Sequence, residues 1–505
     1  HVTADAVDAA VKLSLSRLAR TKLPLLQFHT WDYLDGPGRW LQTLKLLAMH
    51  EGVCHLGLTN VDTEHLRLAL AEGMPIVSNQ ICFSLLDRRA SGAMSTLCAD
   101  KGVELLAFGV LAGGLLTERW LHASPPTEDE LADSWSLAKY YRFVPLFGGW
   151  ALLQELLRAL QAVAQRHATT IAAVATKWVL DQPAVGAVII GARLGKSSRL
   201  EEHRKPFELE LNATDLEEIG AVLAKSGKIP GDCGDEYRRP PFLTASGDLS
   251  HHLSTVPAAF VAKPMIGHTM EAPRLSVDSG SIWEPIAGFS RATRIGTTIR
   301  VSGTTATSPL DGACVGGADA GAQTTFALDL IEASLKALGG GLEHVVRTRL
   351  LVRNVDEDWE AVARAHGQRF ARAGIRPSNT LVGAPLVGEE YLVEIEAEAE
   401  LPPGSKLPPI EFPPTTASMA STPPSIDIAD DSTDSSAYHL ALLRAMVGAQ
   451  THGEEAVQEV VEAALHAIGC EVERVVYTPR GTPLKSEFAA ASAIASGERV
   501  AIVGR

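Results

Sequence analysis

Basic side chains cluster in the stretch between residues 187 and 203. The run AVII at residues 187–190 is apolar and rich in β-branched side chains, which predicts a buried strand. Arg193, Lys196 and Arg199 follow it, just before a predicted helix start. Free backbone N–H groups and the helix dipole at such a position attract anions. The stretch therefore predicts a phosphate site, and a solvated surface loop is the alternative that these residues leave open.

Polar and aromatic side chains also mark the ends of four other predicted strands. These strands span residues 23–29, 55–60, 77–83 and 104–110, and helical patterns alternate with them. Such alternation predicts a parallel sheet with right-handed crossovers, in which chemistry lies at the carboxyl ends of the strands. Purely structural roles are the alternative for side chains at such positions. The side chains at those ends are His29, Thr59, Asn60, Gln80 and Phe108.

The sequence blocks around these residues resemble the aldo-keto reductase superfamily. SLSRLARTKLPLLQFH is similar to the family's helix and strand that end in its catalytic histidine, and GLTN is similar to its GxSN. NQICFSLL resembles its NQxxYSLL, and FGVLAGGLLT resembles its YxPLxxGLLT. The resemblance covers residues 3–215 in the family's order. It implies an α/β fold, an incomplete TIM (β/α)8 barrel that supplies the last five strands, in a domain spanning residues 1–225.

This resemblance implies an oxidoreductase that uses NADP and reduces a small-molecule carbonyl by hydride transfer. His29 would orient or polarise the carbonyl. Asn60 and Gln80 would hold the nicotinamide carboxamide, together with Thr59, which keeps the hydroxyl of the family's Ser. Phe108 would stack on the nicotinamide ring.

The adenosine half of NADP would bind at the basic loop. The resemblance implies that Arg193 and Arg199 bind the 2′-phosphate, which favours NADP over NAD, and Lys196 belongs to the same loop. Glu202 would reach the adenine. His203 stands where the family has Asn.

The resemblance implies that the family's general acid Tyr, its Lys partner and the Asp that tunes it lie on the first three barrel strands, which the sequence does not supply. Hydride transfer to a carbonyl needs a proton for the developing alkoxide, and His29 alone is a poor substitute for a Tyr activated by Lys. We therefore expect a parent protein that is a reductase, and little or no such activity from this chain. A nucleotide-binding regulatory protein without turnover is a further alternative.

A second domain is predicted at residues 283–401, after a Pro-, Gly-, Ser- and His-rich linker at 226–282. VSGTTA, RPSNTLV, VEIEAEAEL and the long block GGADAGAQTTFALDLIEASLKALGGGLEHVVRTRLLV resemble the RidA (YjgF/UK114) family. That resemblance implies an α+β, chorismate-mutase-like fold and a possible homotrimer with clefts between subunits.

Several residues of this domain depart from the imine-hydrolysing members of that family. Asn379 stands where they have Arg, Phe289 where they have Tyr and Ala363 where they have Asn, whereas Glu396 matches their Glu. An amide cannot replace a guanidinium that pairs bidentately with a carboxylate. An imine or enamine hydrolase and a trimeric metabolite-binding module both remain alternatives for this domain.

The last hundred residues predict a linker and a short domain. Residues 402–436 are dense in Pro, Ser, Thr and Asp, which predicts disorder. Residues 437–505 predict a short α/β tail that faintly resembles the start of the M20 metallopeptidase family, and an amphipathic helical tail of no family is the alternative.

Composition sets the remaining bounds. A chain of 505 residues predicts two to four domains, and a net charge of −15 argues against a nucleic-acid partner. The six cysteines are scattered, which predicts neither a disulfide framework nor a metal site and favours the cytoplasm. No apolar run approaches the ~20 residues that span a membrane, so no membrane partner is expected.

Overall fold

The computed structural model describes residues 3–30, 33–34, 37–191, 200–238, 260–269, 271–281 and 283–408. The predicted phosphate-binding residues Arg193, Lys196 and Arg199 lie outside the described residues, as does the predicted tail at 437–505.

A five-stranded parallel sheet forms the centre of the first domain, with its strands hydrogen-bonded in chain order. The alternation of strands and helices predicted this arrangement. Its strands are β1 (Leu26–His29), β2 (Leu56–Thr59), β3 (Ile76–Cys82), β4 (Glu104–Phe108) and β5 (Val185–Ile189). The helices are α1 (Ala4–Leu18), α2 (Arg39–Ala48), α3 (Thr63–Ala71), α4 (Ala93–Lys101), α5 (Glu128–Asp133), α6 (Trp135–Tyr141), α7 (Val144–Phe147), α8 (Gly149–Arg166), α9 (Ile171–Leu180), α10 (Leu200–Glu208) and α11 (Ala213–Leu223).

Local signals set where these helices begin. The Thr3 side chain accepts a hydrogen bond from the Ala6 N–H at the start of α1. At the start of α3, Asp62 accepts one from the His65 N–H. Each of these caps satisfies a backbone donor that the first helical turn leaves unpaired.

A seven-stranded sheet and three helices form the second domain. The strands are β6 (Lys263–Pro264), β7 (Arg274–Val277), β8 (Ala292–Ile295), β9 (Thr298–Thr305), β10 (Val345–Val352), β11 (Ser378–Gly383) and β12 (Val393–Glu400), and the helices are α12 (Trp283–Ala287), α13 (Ala320–Ala337) and α14 (Val355–Arg372). The strand order is β11-β10-β12-β9-β8-β7-β6. Val393, Ile395 and Ala397 are buried along β12, whereas the alternating glutamates are partly or fully exposed, so one face of the sheet is covered, and α13 packs against it.

Two strands of this sheet lie where the sequence predicted a linker. β7 pairs with β8, and the two-residue β6 pairs with β7. Strands of two and four residues are too short to show a period of two in the sequence. The sequence predicted a linker with short ordered patches over 226–282, and β6 and β7 are such patches, paired into the second sheet.

The two sheets belong to one compact unit. Helix α13 packs against α3 of the first domain as well as against α14 and its own sheet, and nearly all of its residues are buried. Among the described residues, no helix is both long and apolar enough to cross a membrane.

Candidate active site

The carboxyl ends of the parallel strands bring five predicted site residues together. The strand register places His29 beside Thr59 and Thr59 beside Gln80, and Phe108 ends the neighbouring β4. Asn60 follows β2 with φ +55°, a left-handed conformation that asparagine tolerates. Its N–H donates to the Gln80 carbonyl at 2.8 Å.

The His29 imidazole is neutral at physiological pH. Burial, and then the charge of the Arg238 guanidinium, lower the pKa of His29 from 6.5 to about 4. Its Nε2 lies 3.4 Å from Nδ2 of Asn60. A neutral ring in this place can orient a substrate oxygen by hydrogen bonding, but it holds no extra proton to give away.

Asn60 offers an acceptor for a ligand. Its Oδ1 is buried and has no hydrogen-bond partner among the described residues. A buried amide oxygen normally accepts a hydrogen bond, and the NH2 of a carboxamide would supply one. The adjacent Asn79, by contrast, uses its amide on the Val61 backbone, with Nδ2 2.8 Å from the carbonyl oxygen, which gives it a structural role.

Two residues that the sequence analysis missed lie at the same strand ends. The Lys139 ammonium in α6 donates to the Tyr237 hydroxyl at 2.5 Å, and both side chains are buried. The Tyr237 ring stands perpendicular to the His29 ring with centroids 6.1 Å apart, and its hydroxyl also interacts with the Asn60 side chain. Lys139 Nζ lies 5.4 Å from the centroid of the Phe108 ring.

Burial shifts the pKa of both titrating groups of the Lys139–Tyr237 pair. It raises the pKa of Tyr237 and lowers the pKa of Lys139. Tyr237 therefore keeps its proton through the neutral range. The ammonium beside it favours the phenolate that would remain after a proton transfer.

Tyr237 lies in residues 231–238, which we call the cap segment. Arg238 fixes one end of it by donating to the backbone carbonyls of Asn60 and Thr30, with its guanidinium 4.4 Å from the Tyr33 ring centroid. Gly234 has φ +81°, and a Cβ there would lie 2.1 Å from the Asn60 carbonyl oxygen. Only glycine allows the cap segment to approach β2 so closely.

A buried ion pair between Arg89 and Glu236 also holds the cap segment in place. Arg89 pairs with Glu236 at 2.8 Å and with Asp87, and it donates to the Asp232 carbonyl at 3.1 Å. Two carboxylates and a backbone oxygen thus share one guanidinium, which compensates their burial.

The predicted adenosine side of the site has one described member. Glu202 lies exposed in α10, where it remains available to a ligand. The basic residues of the preceding loop lie outside the described residues, so their predicted role stays a prediction.

In the second domain, Asn379, which departs from the hydrolase pattern, and Glu396, which matches it, both contact side chains of the domain's own sheet. Asn379 Nδ2 donates to the Thr348 hydroxyl at 2.9 Å, and that hydroxyl lies 2.9 Å from Nε2 of His366. Glu396 pairs with Arg349 at 3.2 Å. The amide at the arginine position therefore binds its own sheet.

Comparison with known proteins matches each domain to a family. Residues 1–224 match the aldo/keto reductase family and residues 281–401 match endoribonuclease L-PSP. The chain is 35% identical over 127 residues to flagellar radial spoke protein 5 of Chlamydomonas reinhardtii, covering 25% of this chain and only 24% of that protein. It is 24% identical to the aldo-keto reductase YhdN of Bacillus subtilis (strain 168), covering 48% and 70%. The crystal structure of Rv2704 from Mycobacterium tuberculosis, of the YjgF/YER057c/UK114 family, is 40% identical, with 25% of this chain and 99% of that chain covered and a TM-score of 0.23.

Proposed function

We propose that the first domain of this chain is an NADP-dependent oxidoreductase that reduces a small-molecule carbonyl. The premise is that the chain belongs to the aldo/keto reductase family through residues 1–224 and to the endoribonuclease L-PSP family through residues 281–401. One observation carries the proposal. A buried hydrogen-bonded pair, Lys139 and Tyr237, lies beside His29 and Asn60 at the carboxyl ends of the parallel strands.

The residues of this site suit a nicotinamide nucleotide. The unpartnered Oδ1 of Asn60 fits the amide N–H of a carboxamide, and Gln80 is its neighbour. Phe108 provides an aromatic face, and Arg193 and Arg199 are the proposed 2′-phosphate ligands, with Lys196 and Glu202 nearby in sequence. When bound, the reduced cofactor supplies the hydride.

The proton comes from the chain's own side chains in this proposal. As the carbonyl carbon accepts hydride, its oxygen takes the Tyr237 proton and leaves a phenolate, which Lys139 stabilises until solvent reprotonates it. His29 orients the carbonyl oxygen as a neutral hydrogen-bonding partner. The low activity expected from the sequence presumed that no Tyr–Lys pair was present. With Tyr237 and Lys139 in place, we propose that this chain turns over.

We also propose that the five strands correspond to the last five of an eight-stranded barrel. Their parallel order and the polar residues at their carboxyl ends support this assignment. Because β6 and β7 pair into the second sheet, we propose that the second domain begins near residue 260. The five described cysteines are free thiols, which supports a cytoplasmic location.

Turnover tests the proposed function. Oxidation of NADPH is followed at 340 nm with a panel of aliphatic and aromatic aldehydes. We expect saturable reduction that falls by a factor of about 100 or more in Tyr237→Phe, the range typical of a lost general acid. The matched control is Tyr141→Phe, a change outside the site, which should keep the wild-type rate. A folded protein that reduces none of the aldehydes, or a Tyr237→Phe variant as fast as the wild type, overturns the proposal.

For the second domain we propose association into a homotrimer rather than imine hydrolysis. The face of the sheet opposite the helices carries the pairs Arg347–Glu398 and Arg349–Glu396, each nearly half-exposed, and Val346 is 51% exposed. Asn379 is engaged with Thr348, which disfavours a substrate carboxylate at that position. Light scattering should give three times the chain mass, and a monomer at micromolar concentration would refute the trimer.

A further inference from the structure

A buried network of charges joins the two domains. His65 in α3 is 1% exposed and places Nδ1 2.8 Å from Asp62 and Nε2 3.1 Å from Asp329 of α13. The Tyr33 ring stacks on the imidazole with centroids 3.4 Å apart. Arg369 of α14 pairs with Asp329 from the other side. Since every member is buried, removing one charge would leave its partners uncompensated.

One guanidinium in this network contacts two carboxylates that lie close in sequence to candidate active-site residues. Arg372, the last residue of α14, has Nη2 3.0 Å from Oδ2 of Asp62 and Nε 3.1 Å from Oδ2 of Asp235. Asp62 follows Asn60 by two residues, and Asp235 precedes Tyr237 by two residues. A side chain of the second domain therefore ties together the two backbone segments that carry site residues of the first.

The positive charge of Arg372 compensates the buried carboxylates that surround it. Asp62, Asp232 and Asp235 all act electrostatically on the Arg372 guanidinium. Asp232 also accepts a hydrogen bond from the Thr63 N–H at 2.9 Å, so it lies at the start of α3 beside Asp62. Without the guanidinium these buried carboxylates would repel one another, which would push the Asp235 part of the cap segment away from Asp62 against the contacts of Arg238 and Arg89.

We propose that Arg372 is a positioning residue for the first domain's site, and that the second domain is thereby a structural part of the reductase. Through Asp62 it holds the turn that carries Asn60, and through Asp235 it holds the cap segment that carries Tyr237. This inference rests on the proposed function for its effect on turnover. Its effect on the cap segment is independent of any reaction.

Hydrogen–deuterium exchange of the full chain tests the positioning directly. In Arg372→Met, backbone exchange should accelerate at residues 60–63 and 231–238 and stay unchanged in the strands of both sheets. Arg372→Lys, which keeps the charge, should restore part of the protection. Arg376→Met is the matched control, because Arg376 is exposed four residues further along, and it should match the wild type. Unchanged exchange at 231–238, or acceleration spread over the whole chain, overturns the proposal.

A second variant separates this proposal from the proposed function. Asp235→Asn leaves the Arg372–Asp62 pair in place and should loosen the cap segment alone. In the aldehyde assay it should lower kcat by about tenfold or more, as misplaced catalytic groups do, while the KM for NADPH stays near the wild-type value. A raised KM at constant kcat contradicts positioning of Tyr237. If the wild type does not turn over, the proposed function fails, and the exchange result still decides the role of Arg372.

Discussion

The acid titration of His29 provides a quantitative test of how deeply the strand ends are buried. Burial and the Arg238 charge lower the pKa of His29 to about 4, whereas in the unfolded chain it is about 6.5. Acid therefore protonates the unfolded state first. The stabilisation from a neutral His29 is complete above pH 6.5 and is lost as the pH falls toward 4. At pH 4.5 this loss is about 2 kcal/mol.

Replacing the ring isolates this contribution. Between pH 7 and pH 4.5, the wild type should lose about 2 kcal/mol more unfolding free energy than His29→Gln does, as measured by urea denaturation. His55→Gln, a change of an exposed histidine, serves as the control and should follow the wild type. NMR titration of the His29 C2 proton should show a midpoint near 4. A midpoint near 6.5, or an acid response of His29→Gln equal to that of the wild type, would refute the reasoning.

Three further predictions concern the buried charges and the cap segment. His65→Gln should cost about 3 kcal/mol of unfolding free energy or more at pH 6. Burial opposes the charge on His65, but two carboxylates outweigh it and raise its pKa, so this stabilisation should fade as the pH rises through that pKa; a cost that grows with pH contradicts it. Gly234→Ala should destabilise the fold by more than about 1 kcal/mol in thermal melts, because its φ is positive and Asn60 blocks the Cβ; an unchanged melting temperature would show that the segment packs differently. Burial lowers the pKa of Lys139, so the reduction rate should decline as the pH rises, with a midpoint below pH 10.5. The Lys139→Met variant should lack this alkaline decline, and an identical decline in the variant excludes Lys139 as its source.

The sequence was sufficient to predict the parallel sheet and to predict which five side chains lie at the carboxyl ends of its strands. Each of the strands β1 to β5 has an apolar run long enough to recognise, and the rule that chemistry lies at carboxyl strand ends selected His29, Asn60 and Phe108. Those positions also lie within contiguous blocks that resemble a known family. Local pattern and motif were enough because each of these side chains is placed by the strand that carries it.

Tyr237, Lys139 and Arg372 could not be predicted in the same way. The Lys139–Tyr237 hydrogen bond joins positions 98 residues apart, and Tyr237 lies in a stretch without periodicity. Arg372 ends helix α14, and its partners Asp62 and Asp235 lie 310 and 137 residues away in the sequence. Contacts of this kind depend on how separate elements pack, which no period or local motif in the chain encodes.

Calorimetric titration of the intact chain with NADPH is the most direct test of a nucleotide site at these strand ends. We expect saturable binding at one site per chain, tighter for NADPH than for NADH because of the added phosphate charge. Reversing the charge at Arg193 and Arg199 together should weaken NADPH binding by about tenfold or more and leave NADH binding unchanged. A folded chain that shows no interaction with NADPH, or a double reversal that changes nothing, would contradict the account.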